Sequence, residues 1–281
     1  MLRVVGAIGR SLVIAFGLAF LFVPLIAVFT ALTPRQAFAD LATPVAAAAL
    51  LLSVRTTLAA MIAVVAVGTP LAYWLSRSTF PGKRIVEAAV QMPVVAPPAV
   101  AGVGLLLVFG RDGLLGPVLA SLHVSIAFST TAVAIAQAFV AGPFYVVAAR
   151  QAFDAIDLDL IAVSRTLGAS AARTFWKVEL PLAAPGMWAG VALSWARALG
   201  EFGATMLFAG NLPGVTQTLP LAIYTALDSS LDVAVAMAAL LLFAAFALLL
   251  LIRLLDWGGG RTGRRERTLD VARLPISQTA A

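Results

Sequence analysis

The sequence has no cysteine and a single histidine, His123, among 281 residues. Without thiols there is no disulfide, Fe–S cluster or thiolate zinc site. One imidazole cannot build a multi-histidine metal centre. Charge is scarce as well, at 11% of residues against about 25% in an ordinary soluble domain. Hydrophobic residues reach 62%, more than a globule of this length can cover with so few charges. These shortages exclude a soluble enzyme, a disordered chain and a nucleic-acid-binding domain, and leave an integral membrane protein.

Long apolar runs are what the chain does have. A helix needs about 20 apolar residues to cross roughly 30 Å of hydrocarbon. Six stretches qualify as spans: 11–32, 53–76 (uncharged from Thr56 on), 88–110, 124–149, 182–207 and 233–252. They are too long and continuous for the alternating strands of a barrel, so the fold class is all-α. Arg3 and Arg10, an apolar run and then Ala37-Phe38-Ala39 imitate a cleaved leader. The run exceeds the roughly 7–15 apolar residues of such a leader, so it reads as a retained first helix.

The net charge of +6 comes from 19 basic and 13 acidic residues. With six spans and both termini inside, only Arg35, Arg55 and Arg111 fall outside and Arg197 lies within a span. The remaining basic residues face the cytoplasm, as the positive-inside rule requires. The basic balance therefore concerns topology and the anionic inner leaflet rather than nucleic acid. A transmembrane domain over 1–257 is followed by a Gly- and Arg-rich cytoplasmic tail, 258–281. Its Gly258–Arg265 run resembles a phosphate loop but lacks the Lys-Ser/Thr ending and a preceding strand.

One connection is long. Residues 151–181 carry Asp154, Asp157 and Asp159, then Leu160, Ile161, Val163 and Leu167 at helical spacing. The pattern predicts a short amphipathic helix stopped at Gly168. A second short helix is expected over Ala171–Val178, ending before Pro181. Two helices need no connector of this length, and its mixed charges suit a protein partner better than an anionic membrane.

Gly168, followed ten residues later by Val178-Glu179-Leu180-Pro181, resembles the loop signature of permease subunits of bacterial ABC importers. The usual Glu-Ala-Ala triplet is replaced by Ala162-Val163-Ser164, with Asp159 upstream as a stand-in acid. Arg165-Thr166-Leu167-Gly168-Ala169, Pro93-Val94-Val95-Ala96-Pro97-Pro98 and the run Arg197–Thr205 are similar to the molybdate branch of that family, over roughly residues 50–255. The resemblance implies a six-helix permease with a type I importer fold. It implies ATPase coupling through Asp159, Ala162, Ser164, Arg165, Gly168, Ala169, Leu180 and Pro181. The implied partners are a second copy of the chain, a cytoplasmic ATPase dimer, and a periplasmic or lipid-anchored oxyanion-binding protein. No cofactor is expected on this chain, because ATP with magnesium belongs to the ATPase.

Arg197 and Glu201 lie deep in the fifth stretch. Facing lipid, each would cost about 2.5–3.5 kcal/mol. Four residues apart, they share a helix face. That face is either a structural ion pair or part of the translocation path. Ser194 and Thr205 could offer hydroxyls to an oxyanion there, and Gly200 and Gly203 permit a bend or a close approach. Pro97 and Pro98, with Pro93, preclude a regular helix at the start of the third span. Irregular backbone at membrane depth belongs against protein or water. These two segments are the candidate path. The expected function is import of an oxyanion, molybdate or tungstate, with sulfate as the close alternative. A gradient-driven anion transporter is the contrasting class.

Overall fold

The computed structural model describes residues 2–31, 33, 35 and 41–259. The tail beyond Gly259 and the Ala37-Phe38-Ala39 motif lie outside the described residues. Among those described, the chain forms α-helices and one π-turn, with no strand.

In chain order the helices are α1 (Leu2–Thr30), α2 (Pro44–Arg77), α3 (Lys83–Val95), α4 (Pro98–Phe109), α5 (Gly116–Ser121), α6 (Thr130–Asp154), α7 (Leu158–Thr166) and α8 (Ala171–Thr174). The π-turn Phe175–Glu179 leads into α9 (Leu180–Leu199), and α10 (Gly203–Phe208), α11 (Leu219–Leu227) and α12 (Leu231–Gly259) follow.

The expected count of six spans is not reproduced. Among the described residues four helices, Ser11–Thr30, Pro44–Arg77, Thr130–Asp154 and Leu231–Leu250, are long and apolar enough to cross a membrane. A fifth is counted if α3 and α4 together make one span. The third stretch is bent by 110° between these two helices. Ala96 and Pro97 are extended (ψ 130° and 137°), as the residue before a proline is pushed to be. The fifth stretch ends its helix at Leu199, resumes at Gly203 and has Glu201 in the gap. The fourth starts later than expected, at Thr130, where Ser129 caps α6 by accepting from the Ala132 N–H. It continues to Asp154, and Arg150 is paired there with both Glu87 (3.2 Å) and Asp154 (3.3 Å).

The chain divides into two compact units. The first comprises Met1–Val54 and Gly210–Ala244. Its core joins Ala46 and Ala49 of α2 to Leu219 and Ala222 of α11 and Met237 of α12. The Leu219 N–H donates to the buried Ser53 hydroxyl (2.7 Å), which satisfies one of the orphan amides at the start of α11.

The second unit comprises Arg55–Ala209 and Ala245–Ala281. Helix α6 runs through it and is buried along its length, from Ala132 to Phe153. At one end it packs with α4 and α10 through Ala101, Leu105, Val133, Val140 and Phe208. In the middle it packs with α2 and α9 around Met61, Leu75 and Tyr145. At its other end Phe153 and Ile156 meet Ala183 of α9. At 25 residues, α6 spans about 37 Å. It therefore separates two sites within this unit.

Candidate functional site

The first site is the break between α9 and α10. Helix α9 stops because Gly200 and the following residues leave helical geometry, and Glu201 folds back into the gap. Its carboxylate is 1% exposed. One oxygen accepts from Arg197 Nη1 at 2.7 Å, and the other accepts from the Ala204 N–H at 2.9 Å. Glu201 thus ends one helix by pairing with its last-turn arginine and starts the next by capping its first turn. The expectation that Arg197 and Glu201 pair is met. The expectation that both lie on one continuous helix is not, because Glu201 is past the helix end. The Arg197 side chain keeps 31% exposure, so the cation faces open space while its counter-ion is buried.

The two segments predicted to line a path come together. A Cβ on Gly203 would sit 2.6 Å from the Pro98 Cβ. No side chain fits there, so α10 can start only against the proline break of the third stretch. Pro97 and Pro98 themselves are exposed. Gly200, by contrast, has only the Ala196 carbonyl within 4 Å, at 3.9 Å. It serves the helix end and no close approach.

Ser194 is corrected. It is fully buried and donates to the Ala141 carbonyl of α6 at 2.7 Å, so its hydroxyl fastens α9 to α6 and is not offered to a ligand. The Thr205 hydroxyl is buried without a hydrogen-bond partner, and so is Oε1 of Gln137 on α6. Helices α6 and α10 pack through Ala136 and Ala204, the neighbours of these two residues. Gln137 was missed in the sequence. A lone amide within the apolar run of the fourth stretch was the available signal.

The second site lies at the other end of α6 and comprises residues 151–181. Asp157 caps α7 by accepting from the Asp159 N–H at 2.9 Å. Gly168 terminates α7 with φ +84°, a left-handed conformation that costs side-chain-bearing residues about 1–2 kcal/mol. Around it the Gly168 and Ala169 amides donate back to the Arg165 and Ser164 carbonyls. The Ser164 hydroxyl meets the Thr174 hydroxyl at 3.1 Å and joins α7 to α8. Asp159, Ala162 and Arg165 are exposed. So are the apolar Leu158, Leu160, Val163 and Leu167, the last at 83%. Ile161 alone turns inward, onto Phe153 and Ile156.

The second short helix does not end before Pro181. Helix α8 widens into the π-turn, and the Leu180 N–H reaches the Phe175 carbonyl five residues back. Leu180 and Pro181 then open α9, where the missing proline N–H costs nothing. The widened turn is what lets a proline sit in a continuous helical path.

That turn ends on Glu179, which was not among the predicted site residues. Its side chain is 4% exposed. Oε2 accepts from Nε of Arg77 at 2.8 Å and lies 2.8 Å from Nη2 as an ion pair, and Oε1 accepts from the Tyr73 hydroxyl at 3.0 Å. Tyr73 stacks edge-on against Phe153 (5.3 Å) and Phe175 (4.9 Å). The last turns of α2, the end of α6 and the π-turn are thereby fixed to one another. An acidic residue beside an apolar run, with an arginine closing the second span, was the only trace of this pairing in the sequence.

Comparison with known proteins agrees with this architecture. The chain is 42% identical over 229 residues to the "Molybdenum transport system permease protein ModB" of Mycobacterium tuberculosis (strain ATCC 25618 / H37Rv), covering 82% of this chain and 87% of that one. It is 40% identical over 182 residues to the protein of the same name in Escherichia coli (strain K12), covering 64% and 80%. A solved "bacterial ABC transporter involved in the import of the acidic polysaccharide alginate" contains a chain of similar fold (TM-score 0.69, 15% identity, 93% of this chain and 96% of that one). Residues 65–267 match the family described as "Binding-protein-dependent transport system inner membrane component", and the chain belongs to that family.

Proposed function

We propose that this chain is the permease subunit of an ABC importer that moves molybdate, or the closely similar tungstate, inward across the cell membrane by ATP-driven alternating access. Two copies surround the path. A separate ATPase dimer docks on the 151–181 element, and an extracytoplasmic binding protein delivers the anion. In this reading the broken α9–α10 stretch completes an even number of crossings and both termini lie in the cytoplasm, the arrangement that the arginine distribution favours. The chain performs no bond chemistry of its own, and ATP hydrolysis belongs to the partner.

One observation carries this reading. Helix α7 presents four exposed apolar side chains, Leu158, Leu160, Val163 and Leu167, while Ile161 and the neighbouring turn are locked into the membrane helices. A patch of that kind suits a protein groove. The rigid anchorage lets movement there reach α9. About 30 Å away along α9, the Arg197–Glu201 break sits against Pro98, and a kinked pair of helix ends can change its bend without rebuilding a regular helix. Arg197, partly neutralised and partly exposed, offers an oxyanion transient attraction without a trapping site. The unpartnered Thr205 hydroxyl can donate to the passing anion once the break opens.

The test is reconstitution. Liposomes containing this chain, its ATPase and its binding protein are expected to accumulate molybdate only when ATP and all three proteins are present, with tungstate competing more strongly than sulfate. Accumulation by this chain alone down an anion gradient would overturn the reading, and stronger competition by sulfate would reassign the cargo.

A further inference from the structure

We propose that Tyr73, Arg77 and Glu179 form the latch through which displacement of the 151–181 element moves α2 together with α9. The inference rests on the ABC reading and adds to it a positioning residue, Glu179.

The geometry is specific. The 151–181 element is joined covalently to α6 and α9 alone. The side-chain contacts of Glu179 come from a third helix, α2, through residues more than 100 positions away. The arginine places two nitrogens on one carboxylate oxygen, and the tyrosine occupies the other. The rings of Tyr73, Phe153 and Phe175 stack on one another beside this contact, and the Glu179 side chain is 4% exposed and that of Arg77 20%.

A buried ion pair adds little net stability over apolar side chains of the same shape, yet it is costly to break. Such a pair is a poor choice for strength and a good one for register. It holds two elements in one relative position until enough force separates both charges together. The carboxylate also sits on the final residue of the π-turn, where the helix is one residue wider than its continuation. Turns of this kind are concentrated at functional sites and supply local slack. An ATPase that pushes on α7 therefore cannot spend the movement within the turn while the latch is closed. The movement passes to the last turns of α2 as well as to α9.

The experiment compares molybdate taken up with ATP hydrolysed in liposomes containing the full complex, for the wild type, Glu179→Gln, Arg77→Glu, Glu179→Arg and the Arg77→Glu/Glu179→Arg exchange. Glu179→Gln keeps the shape and removes the charge. It is expected to co-purify with the ATPase and hydrolyse ATP while uptake per ATP falls about tenfold. The exchange is expected to recover several-fold over either single reversal. Uptake per ATP equal to wild type in Glu179→Gln would overturn the latch. So would an exchange no better than the single reversals, since the cluster would then be scaffold. Failure of the wild-type complex to couple uptake to ATP at all would instead sink the ABC reading, which keeps the two outcomes apart.

Discussion

Glu179 and Glu201 are both buried carboxylates held by an arginine at hydrogen-bond distance, but their partners differ in origin. Glu201 draws on Arg197 and the Ala204 amide, both within four residues. It organises only its own break, and its arginine is left partly open. Glu179 draws on Arg77 and Tyr73, which lie 102 and 106 residues away. It joins helices that the chain does not connect, and aromatic rings stack beside it. The same chemical pair thus serves as a local bend in one place and as a long-range fastening in the other. A local pair can rearrange while the rest of the unit stays packed. A long-range pair makes distant elements move as one.

Substitutions can break or sharpen this contrast. The largest effect is expected for Arg77→Ala, which leaves the Glu179 carboxylate buried without its cation and should cost about 3–5 kcal/mol. The thermal midpoint of the purified chain in detergent reports it, and adding Glu179→Gln should recover much of the loss. Arg197→Ala should cost less, about 1–3 kcal/mol, because the Arg197 side chain is more exposed than that of Arg77, at 31% against 20%. Equal losses at the two sites would erase the distinction between local and long-range pairing.

Gly168→Ala should strain the end of α7 by about 1–2 kcal/mol. Nothing lies within 4 Å of the added methyl group, so the global midpoint should fall by no more than this strain accounts for, while ATPase association weakens about tenfold, a factor worth about 1.4 kcal/mol. Titration of the ATPase onto the reconstituted chain measures it. The smallest effect belongs to Ser194→Ala, which removes one buried hydrogen bond worth about 0.5–1.5 kcal/mol. Molybdate uptake per folded complex should be unchanged. A selective loss of uptake would return the Ser194 hydroxyl to the path.

The same contrast explains which features could be read in the sequence. Apolar runs identify membrane helices because the bilayer imposes their length. Pro97-Pro98 announced a break, Gly168 a helix stop, and the four-residue spacing of Arg197 and Glu201 an ion pair. All are local rules acting over a few residues. The 110° bend needed the geometry of both flanking helices. The α9–α10 break depends on Glu201 turning inward to cap the next helix, which the same spacing on an unbroken helix does not reveal. Glu179 was invisible as a site because its partners are fixed by tertiary packing. Ser194 was misassigned because a mid-helix hydroxyl goes to whichever carbonyl packs nearest, here that of Ala141. The continuous passage through Pro181 was missed because the π-turn that absorbs it has no propensity signature.

The proposed division of labour is coupling at the Glu179 site and gating at the Glu201 site. Tracer molybdate flux into liposomes containing the complex, measured with and without ATP for Glu179→Gln and Glu201→Gln, tests it most directly. Loss of ATP-driven uptake without leak is predicted for Glu179→Gln, and a raised ATP-independent flux for Glu201→Gln. The same phenotype in both variants, or a leak produced by Glu179→Gln alone, would contradict it.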